Sequence, residues 1–220
     1  MLHAAPWVES LPSALVARVE GDTIVRQCPA GALVCRKGEP VEHWIGVVDG
    51  LVKMASVSSD GKPMSYTGIG TGGWFGEGSL LKNELRRYDI VALRDSVIAY
   101  MPRSLFMTLL DQSVVFNRFL LVQLNERLGQ FIGLVEHDRL LGPDARLARG
   151  LAALFNPLLY PGSRSTLPIS QEELGQLVGL SRQRVNQSLK VLERKGLLRA
   201  DYGGVTVLDL QRLREYEDER

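Results

Sequence analysis

The sequence predicts an α+β fold in three parts: an antiparallel, jelly-roll-like β-roll over residues 1–113, a long helix over 114–141, and a winged helix-turn-helix over 142–220. Three observations predict it. Short β-like runs separated by glycine turns fill Thr23 to Met101. Apolar residues then recur three and four apart from Val114 to Leu140. Two capped helical segments and a glycine-turned hairpin close the chain.

Within the first part, Ile45-Gly-Val-Val precedes Asp49-Gly50, Leu51-Val-Lys-Met-Ala-Ser-Val precedes Ser59-Asp60-Gly61, and Val91-Ala-Leu precedes Arg94-Asp95. An Asp-Gly pair between extended runs signals a hairpin, and many short strands at this spacing indicate a sandwich or barrel. Past Pro102 the pattern changes. Ser104 to Asp111 reads as a short helix, and the segment after it as a much longer one. In the long segment Leu121, Leu124, Leu128, Phe131 and Val135 form a coiled-coil seam. Phe116, Phe119, Leu120 and Ile132 widen the apolar surface, so this helix is expected to pack on the roll as well as on a partner. A helix buried wholly within one subunit is the alternative. Gly142-Pro143-Asp144 then breaks the helix and supplies a hinge. Asp144 to Phe155 reads as the first helix of the last domain, ending before Pro157.

The segment from Ile169 to Glu193 carries most of the functional information. Ser170 and Glu173 form an S-x-x-E capping box, Gly175 is small where two helices must cross, and Gly179 permits the left-handed backbone of a tight turn. Ser181 can cap the second helix. There Val185, Leu189 and Leu192 make an apolar stripe, while Arg182, Gln183, Asn186, Gln187 and Lys190 share another face. An outer face of hydrogen-bonding groups and cations suits base edges and phosphates. An ordinary solvated amphipathic helix is the plain alternative. Candidate DNA contacts are Ser170, Ser181, Arg182, Gln183, Arg184, Asn186, Gln187 and Lys190. After them, Leu197 to Leu208 reads as a hairpin turning at Gly203-Gly204, the wing.

Composition bounds the partners. With 45% hydrophobic and 23% charged residues the chain has the make-up of a soluble globular protein. A net charge of only +1 means that nucleic-acid contact needs local clustering, which Arg182, Arg184, Lys190, Arg194, Lys195 and Arg199 supply before the acidic tail Glu215 to Glu219. No apolar run is long enough to span a bilayer. The amino terminus has no basic segment leading into an apolar stretch, which reads against a signal peptide, and the expectation is a cytoplasmic protein without membrane contact. Cys28 and Cys35 are too few for a disulfide scaffold or an all-cysteine cluster and read as buried thiols, with a redox role left open.

A β-roll, a long dimerising helix, a hinge and a winged helix-turn-helix in that order resemble the Crp–Fnr family of bacterial transcription regulators. Gly179-Leu-Ser-Arg-Gln-Arg-Val and Gly73-Trp-Phe-Gly-Glu-Gly-Ser-Leu-Leu are the most specific pieces of the resemblance. It implies a homodimer on a two-fold-symmetric operator in double-stranded DNA, and a protein that recruits or blocks RNA polymerase. It also implies a phosphate-binding cassette over Phe75 to Tyr88, including Gly78 and Ser79. In that cassette Gly76 would allow close backbone approach, Glu77 would accept from a ribose hydroxyl, and Arg87 would pair with a cyclic phosphate, with Arg86 as a second cation. Two departures bear on the effector. Tyr88 stands where cyclic-nucleotide-binding members carry a small hydroxyl residue, and Phe131 and Ile132 stand where the cyclic AMP sensor reads adenine with hydroxyl groups. Cyclic AMP is therefore disfavoured; another small anionic or partly apolar effector, other cyclic nucleotides included, or no small effector at all, is left open, and no fixed cofactor is expected. The family's oxygen sensors use four cysteines, which this chain lacks, and none of His3, His43 and His137 sits in a recognisable haem context.

Features of two other classes are present in the sequence. Gly68-Ile-Gly-Thr-Gly-Gly73 matches G-x-G-x-x-G, with Asp89 downstream, but further glycines follow where a dinucleotide-binding helix should propagate. A ligand-binding regulatory subunit that acts through protein partners is the alternative from a different class. No Ser/His/Asp constellation or metal-ligand cluster is present, so the expectation is a protein without enzymatic activity.

Overall fold

The computed structural model describes residues 7–8, 11–58, 61, 63–201 and 203–218. His3, Ser59, Asp60, Tyr202 and Glu219, all invoked above, lie outside the described residues. The chain forms two compact units, Met1–Glu126 with Leu158–Gly162, and Arg127–Pro157 with Ser163–Arg220.

Among the described residues the first unit holds helix α1 (Ser13–Asp22) and the strands β1 (Ile24–Cys28), β2 (Leu33–Cys35), β3 (His43–Asp49), β4 (Leu51–Val57), β5 (Pro63–Gly70), β6 (Trp74–Phe75), β7 (Asp89–Ala92) and β8 (Ser96–Pro102). A short helix α2 (Glu77–Lys82) lies between β6 and β7, and α3 (Arg103–Gln112) follows β8. One sheet has the order β1-β8-β3-β6 and the other β2-β7-β4-β5, with every pairing antiparallel. This is the predicted jelly roll. Its turns are another matter. Of the two hairpins expected at Asp-Gly pairs, only that between β4 and β5 is one, with Val57 opposite Pro63. At Asp49-Gly50 and Arg94-Asp95 the chain instead crosses from one sheet to the other. Gly50 makes the first crossing with φ 112°, and a Cβ there would fall on the Ser96 side chain. A dipeptide signal reports a reversal of the chain; which strand the next run then pairs with is decided by the roll.

The outer face of the first sheet is covered by aromatic residues that the sequence reading missed. Trp44 and Trp74 stack at 4.3 Å, and Trp7 meets Phe116 edge-on at 5.1 Å. Leu15 and Val19 of α1 and Leu105, Phe106 and Leu109 of α3 pack into the same cluster. Each such ring removes some 150–250 Å² from water, so this cluster fixes α1, α3 and the start of the long helix on the roll.

Helix α4 (Val114–Leu140) runs from the first unit into the second. Phe116 and Leu120 are buried as expected, whereas Ile132, expected among the packing residues, is 59% exposed. The second unit continues with α5 (Pro143–Ala153), β9 (Thr166–Leu167), α6 (Gln171–Val178), α7 (Arg182–Arg194), β10 (Leu198–Asp201), β11 (Gly204–Val207) and α8 (Leu210–Arg214). Pro143 stands in the first turn of α5, where its missing N–H costs nothing. The wing pairs Leu198 with Val207 and Asp201 with Gly204, so Gly204, read as part of the turn, already belongs to β11, and Gly203 stands before it at φ 84°. β9 adds a third strand to β11.

Candidate nucleic-acid interface and effector cassette

The helix-turn-helix is built as its capping residues dictate. The Ser170 hydroxyl accepts from the Glu173 N–H at 3.2 Å while the Glu173 carboxylate accepts from the Ser170 N–H at 2.7 Å. Gly179 ends α6 in the left-handed conformation, φ 66°. A Cβ on Gly175 would strike the Leu180 carbonyl of the turn, so the constraint there comes from the turn backbone, with Val185 Cγ2 a looser neighbour at 3.5 Å. The Ser181 hydroxyl then accepts from the Arg184 N–H at 3.2 Å and starts α7.

On α7, Val185, Leu189 and Leu192 are fully buried and hold the helix down. At about 100° per residue, Arg182, Asn186, Lys190, Gln183 and Gln187 span an arc of about 140° that starts beside Leu189 and runs away from the buried stripe. Arg182, Gln183, Gln187 and Lys190 are exposed and Asn186 half-buried. No ion pair engages Arg182 or Lys190 among the described residues.

Arg184, predicted with them, stands apart. It sits about 200° around the helix from Arg182, toward the buried edge. Its guanidinium meets Asp144 Oδ1 at 2.8 Å and the Gln187 side-chain oxygen at 3.2 Å. Ser188, fully buried, donates to the same Asp144 oxygen at 2.5 Å. Asp144 therefore pins α7 to α5, a role that its reading as part of a hinge did not foresee. Ser170 and Ser181 likewise hold helix ends, which leaves their hydroxyls committed to backbone. Arg194 donates to the Lys190 carbonyl, Lys195 lies 5.0 Å over the Tyr216 ring, and Arg199 pairs with Asp201 at 3.1 Å.

Between the start of α6, α7 and the wing lies a groove of about 430 Å³. Ser170, Gln171, Glu172, Arg182, Asp201 and Gly204 are among its lining residues. Gln171 and Glu172 were missed because nothing in the sequence marks the first turn of α6 as a wall facing the wing.

In the first unit, Gly76 caps α2 with φ 93°, a backbone that favours glycine. The helix that follows is six residues long, so the glycines after Phe75 do not exclude a helix here as the sequence reading held; they limit it. Glu77 is buried and Gly78 and Ser79 lie in α2. The order of the two arginines is reversed from the expectation. Arg86 is buried, donates to the His43 carbonyl at 3.3 Å, and places its guanidinium 3.4 Å from where a Gly76 Cβ would stand. Arg87 points outward and pairs through two hydrogen bonds, at 2.9 and 2.8 Å, with Glu84. That pair, with Lys82, holds the half-buried Glu84 carboxyl down to about 2. The cause is alternation. Gly38 N–H donates to the Arg86 carbonyl and Arg86 N–H to the Glu39 carbonyl, so residue 86 is fixed in an extended stretch whose next side chain faces the other way. The residue that follows the inward arginine is thus Arg87, and half-buried Tyr88 is one further on.

Cys28 and Cys35 are buried and unbridged. Burial raises both thiols, Cys35 to about 11, which leaves them protonated near neutral pH. Burial and Arg86 lower His43, against an upward push from Glu42. No group of three or more potential metal ligands occurs among the described residues, and no single helix there is long and apolar enough to cross a membrane.

An antiparallel jelly roll, a long helix and a winged helix-turn-helix whose α7 carries an exposed polar arc define a protein with a DNA-binding unit. Residues 25–113 match the cyclic nucleotide-binding domain and residues 145–216 the Crp-like helix-turn-helix domain. The chain belongs to the Crp–Fnr family of DNA-binding transcription regulators, and it is a regulator without enzymatic activity. It is 28% identical over 176 residues to the cAMP-activated global transcriptional regulator CRP of Haemophilus influenzae, covering 78% of each chain. The solved structure of FixK2 from Bradyrhizobium japonicum superposes with a TM-score of 0.72 at 19% identity, over 90% of this chain and 98% of that one. The c-di-GMP responsive global regulator CLP of Xanthomonas campestris gives a TM-score of 0.64 at 25% identity, over 89% and 99%.

Proposed function

We propose that this chain works as a homodimer whose affinity for a palindromic operator is set by a small anionic effector in the β-roll. The observation that carries the reading is the arc on α7, where Arg182 and Lys190 have no ion-pair partner among the described residues while the neighbouring Arg184 is tied down. Arg182 is the base-reading side chain, suited to the O6 and N7 acceptors of guanine, and Gln183 and Gln187 are suited to adenine. Lys190 is a phosphate contact, and the groove beside α6 receives the sugar-phosphate backbone.

Dimerisation is supported by the seam. Leu121, Leu124, Leu128 and Val135 are 67, 36, 59 and 54% exposed, and Phe131 is half-buried. With Phe131 they fall within an arc of about 80° on α4, an apolar stripe that a second copy of the helix would cover.

Arg86 is the phosphate-pairing group in this reading, with Glu77 as an acceptor for a sugar hydroxyl and Gly76 as the point of close approach. Cyclic AMP is disfavoured because neither Phe131 nor Ile132 carries a hydrogen-bonding group for adenine. The relatives respond to different nucleotides by their descriptions, cAMP and c-di-GMP, so the fold admits several. A dimer on a promoter acts in the cytoplasm and touches RNA polymerase, as family membership implies. Gel shifts with genomic fragments test the proposal. Retarded fragments that share a sequence support it, and retardation independent of sequence would favour an adaptor acting through proteins.

A further inference from the structure

Leu158–Gly162 belongs to the first unit, although the chain on either side of it, up to Pro157 and from Ser163, belongs to the second. The reason is chemical. Leu159 and Tyr160 are fully buried there. The Gly162 N–H donates to the Thr71 carbonyl at 3.2 Å, and the Gln123 amide of α4 donates to the Leu158 carbonyl. The surface that receives the segment is a glycine turn. A Cβ on Gly72 would stand 2.9 Å from Gly162 N and 2.9 Å from Pro161 Cγ, and one on Gly73 would stand 2.9 Å from the Tyr160 ring. The turn is itself held, because the Thr71 hydroxyl accepts from Gly50 N–H at 3.2 Å and lies 3.3 Å from the Gly50 carbonyl. From Gly73 the chain runs directly into β6 and the Gly76 cap, so this seat lies two residues from the start of the cassette at Phe75.

We propose that Leu158–Gly162 is a latch through which the state of the cassette turn reaches the DNA-binding unit. The segment is short and covalently continuous with α5 on one side and β9 on the other, and its hold is backbone and ring packing against Thr71–Gly73. A shift of that turn displaces the segment, and an ordered segment holds the turn.

All three tryptophans, Trp7, Trp44 and Trp74, lie in the first unit, whereas operator DNA binds the second. Tryptophan fluorescence during thermal unfolding therefore reports whether a ligand on one unit stabilises the other. In wild type, operator raises the midpoint of the tryptophan transition. In Gly162→Ala the new Cβ meets Thr71 Cγ2 at 2.6 Å, in a backbone conformation that alanine otherwise accepts, and the operator-induced shift falls to half or less. Thr71→Ser removes that methyl, and the double variant recovers most of the shift. Should Gly162→Ala fail to fold, Gln123→Ala carries the same expectation. An undiminished shift in a variant that binds operator normally overturns the latch, as does a wild-type transition indifferent to bound operator. Loss of operator binding by wild type would instead count against the DNA-binding reading.

Discussion

Arg182 and Arg184 lie two residues apart in the reading helix, and their replacement by alanine should have opposite consequences. Arg182 is exposed and has no ion pair, so its truncation leaves the fold alone. Losing a bidentate guanine contact costs on the order of 1–3 kcal/mol, or roughly 5- to 150-fold in operator affinity, and relaxes preference at one base pair of each half-site. Arg184 pairs with Asp144 at 2.8 Å, with side chains 38% and 18% exposed. Solvent screening at that exposure holds the contribution to about 1 kcal/mol, a few degrees of melting temperature for a unit of this size. Asp144 keeps its hydrogen bond from Ser188, which limits the damage. Fluorescence anisotropy on a labelled operator, read beside a thermal melt followed by circular dichroism, separates the two effects. Arg182→Ala should bind poorly and melt like wild type; Arg184→Ala should bind within a few-fold and melt earlier. The reverse pattern would show that α7 docks by a different face.

Lys190→Ala should weaken binding to all sequences alike and reduce the slope of log affinity against log salt by about one, measured by titration at several salt concentrations. Replacing both Leu124 and Leu128 with Glu places two charges on the apolar stripe of α4 and should yield monomers by sedimentation; a double variant that still sediments as a dimer refutes the seam. Arg86→Ala should abolish retention of any anionic small molecule that co-purifies, read by native mass spectrometry, whereas Arg87→Ala should retain it. Burial holds His43 and His137 below the ordinary histidine value, aided by Arg86 and Arg149 respectively. The unfolded chain therefore binds protons more readily, so stability should fall as pH drops below about 6.5, and His43→Gln should flatten that slope in denaturant titrations across pH.

What the sequence discloses follows from which interactions are local. The caps at Ser170 and Ser181, the left-handed Gly179 and the stripe Val185, Leu189, Leu192 depend on neighbours within one or two turns, and the structure has each as read. Asp49-Gly50 failed as a hairpin because the roll, not the dipeptide, selects the next strand's partner. The order of Arg86 and Arg87 failed because it rests on pairing with Gly38 and Glu39, some fifty residues away, which fixes which of two adjacent arginines turns inward. Asp144 was legible as a helix start but not as the partner of Arg184 and Ser188, forty residues on. The aromatic cluster around Trp44 gathers rings from five separate segments, and no periodicity could announce it.

Selection of operators from a random duplex library, followed by footprinting of the winning site, shows whether a dimer reads a symmetric operator with α7. A dimer docked by α7 selects an inverted repeat protected in two blocks centred about 34 Å, one helical turn, apart, with guanine at the position lost in the Arg182→Ala selection. A site without two-fold symmetry, or the same consensus selected by wild type and Arg182→Ala, would contradict it.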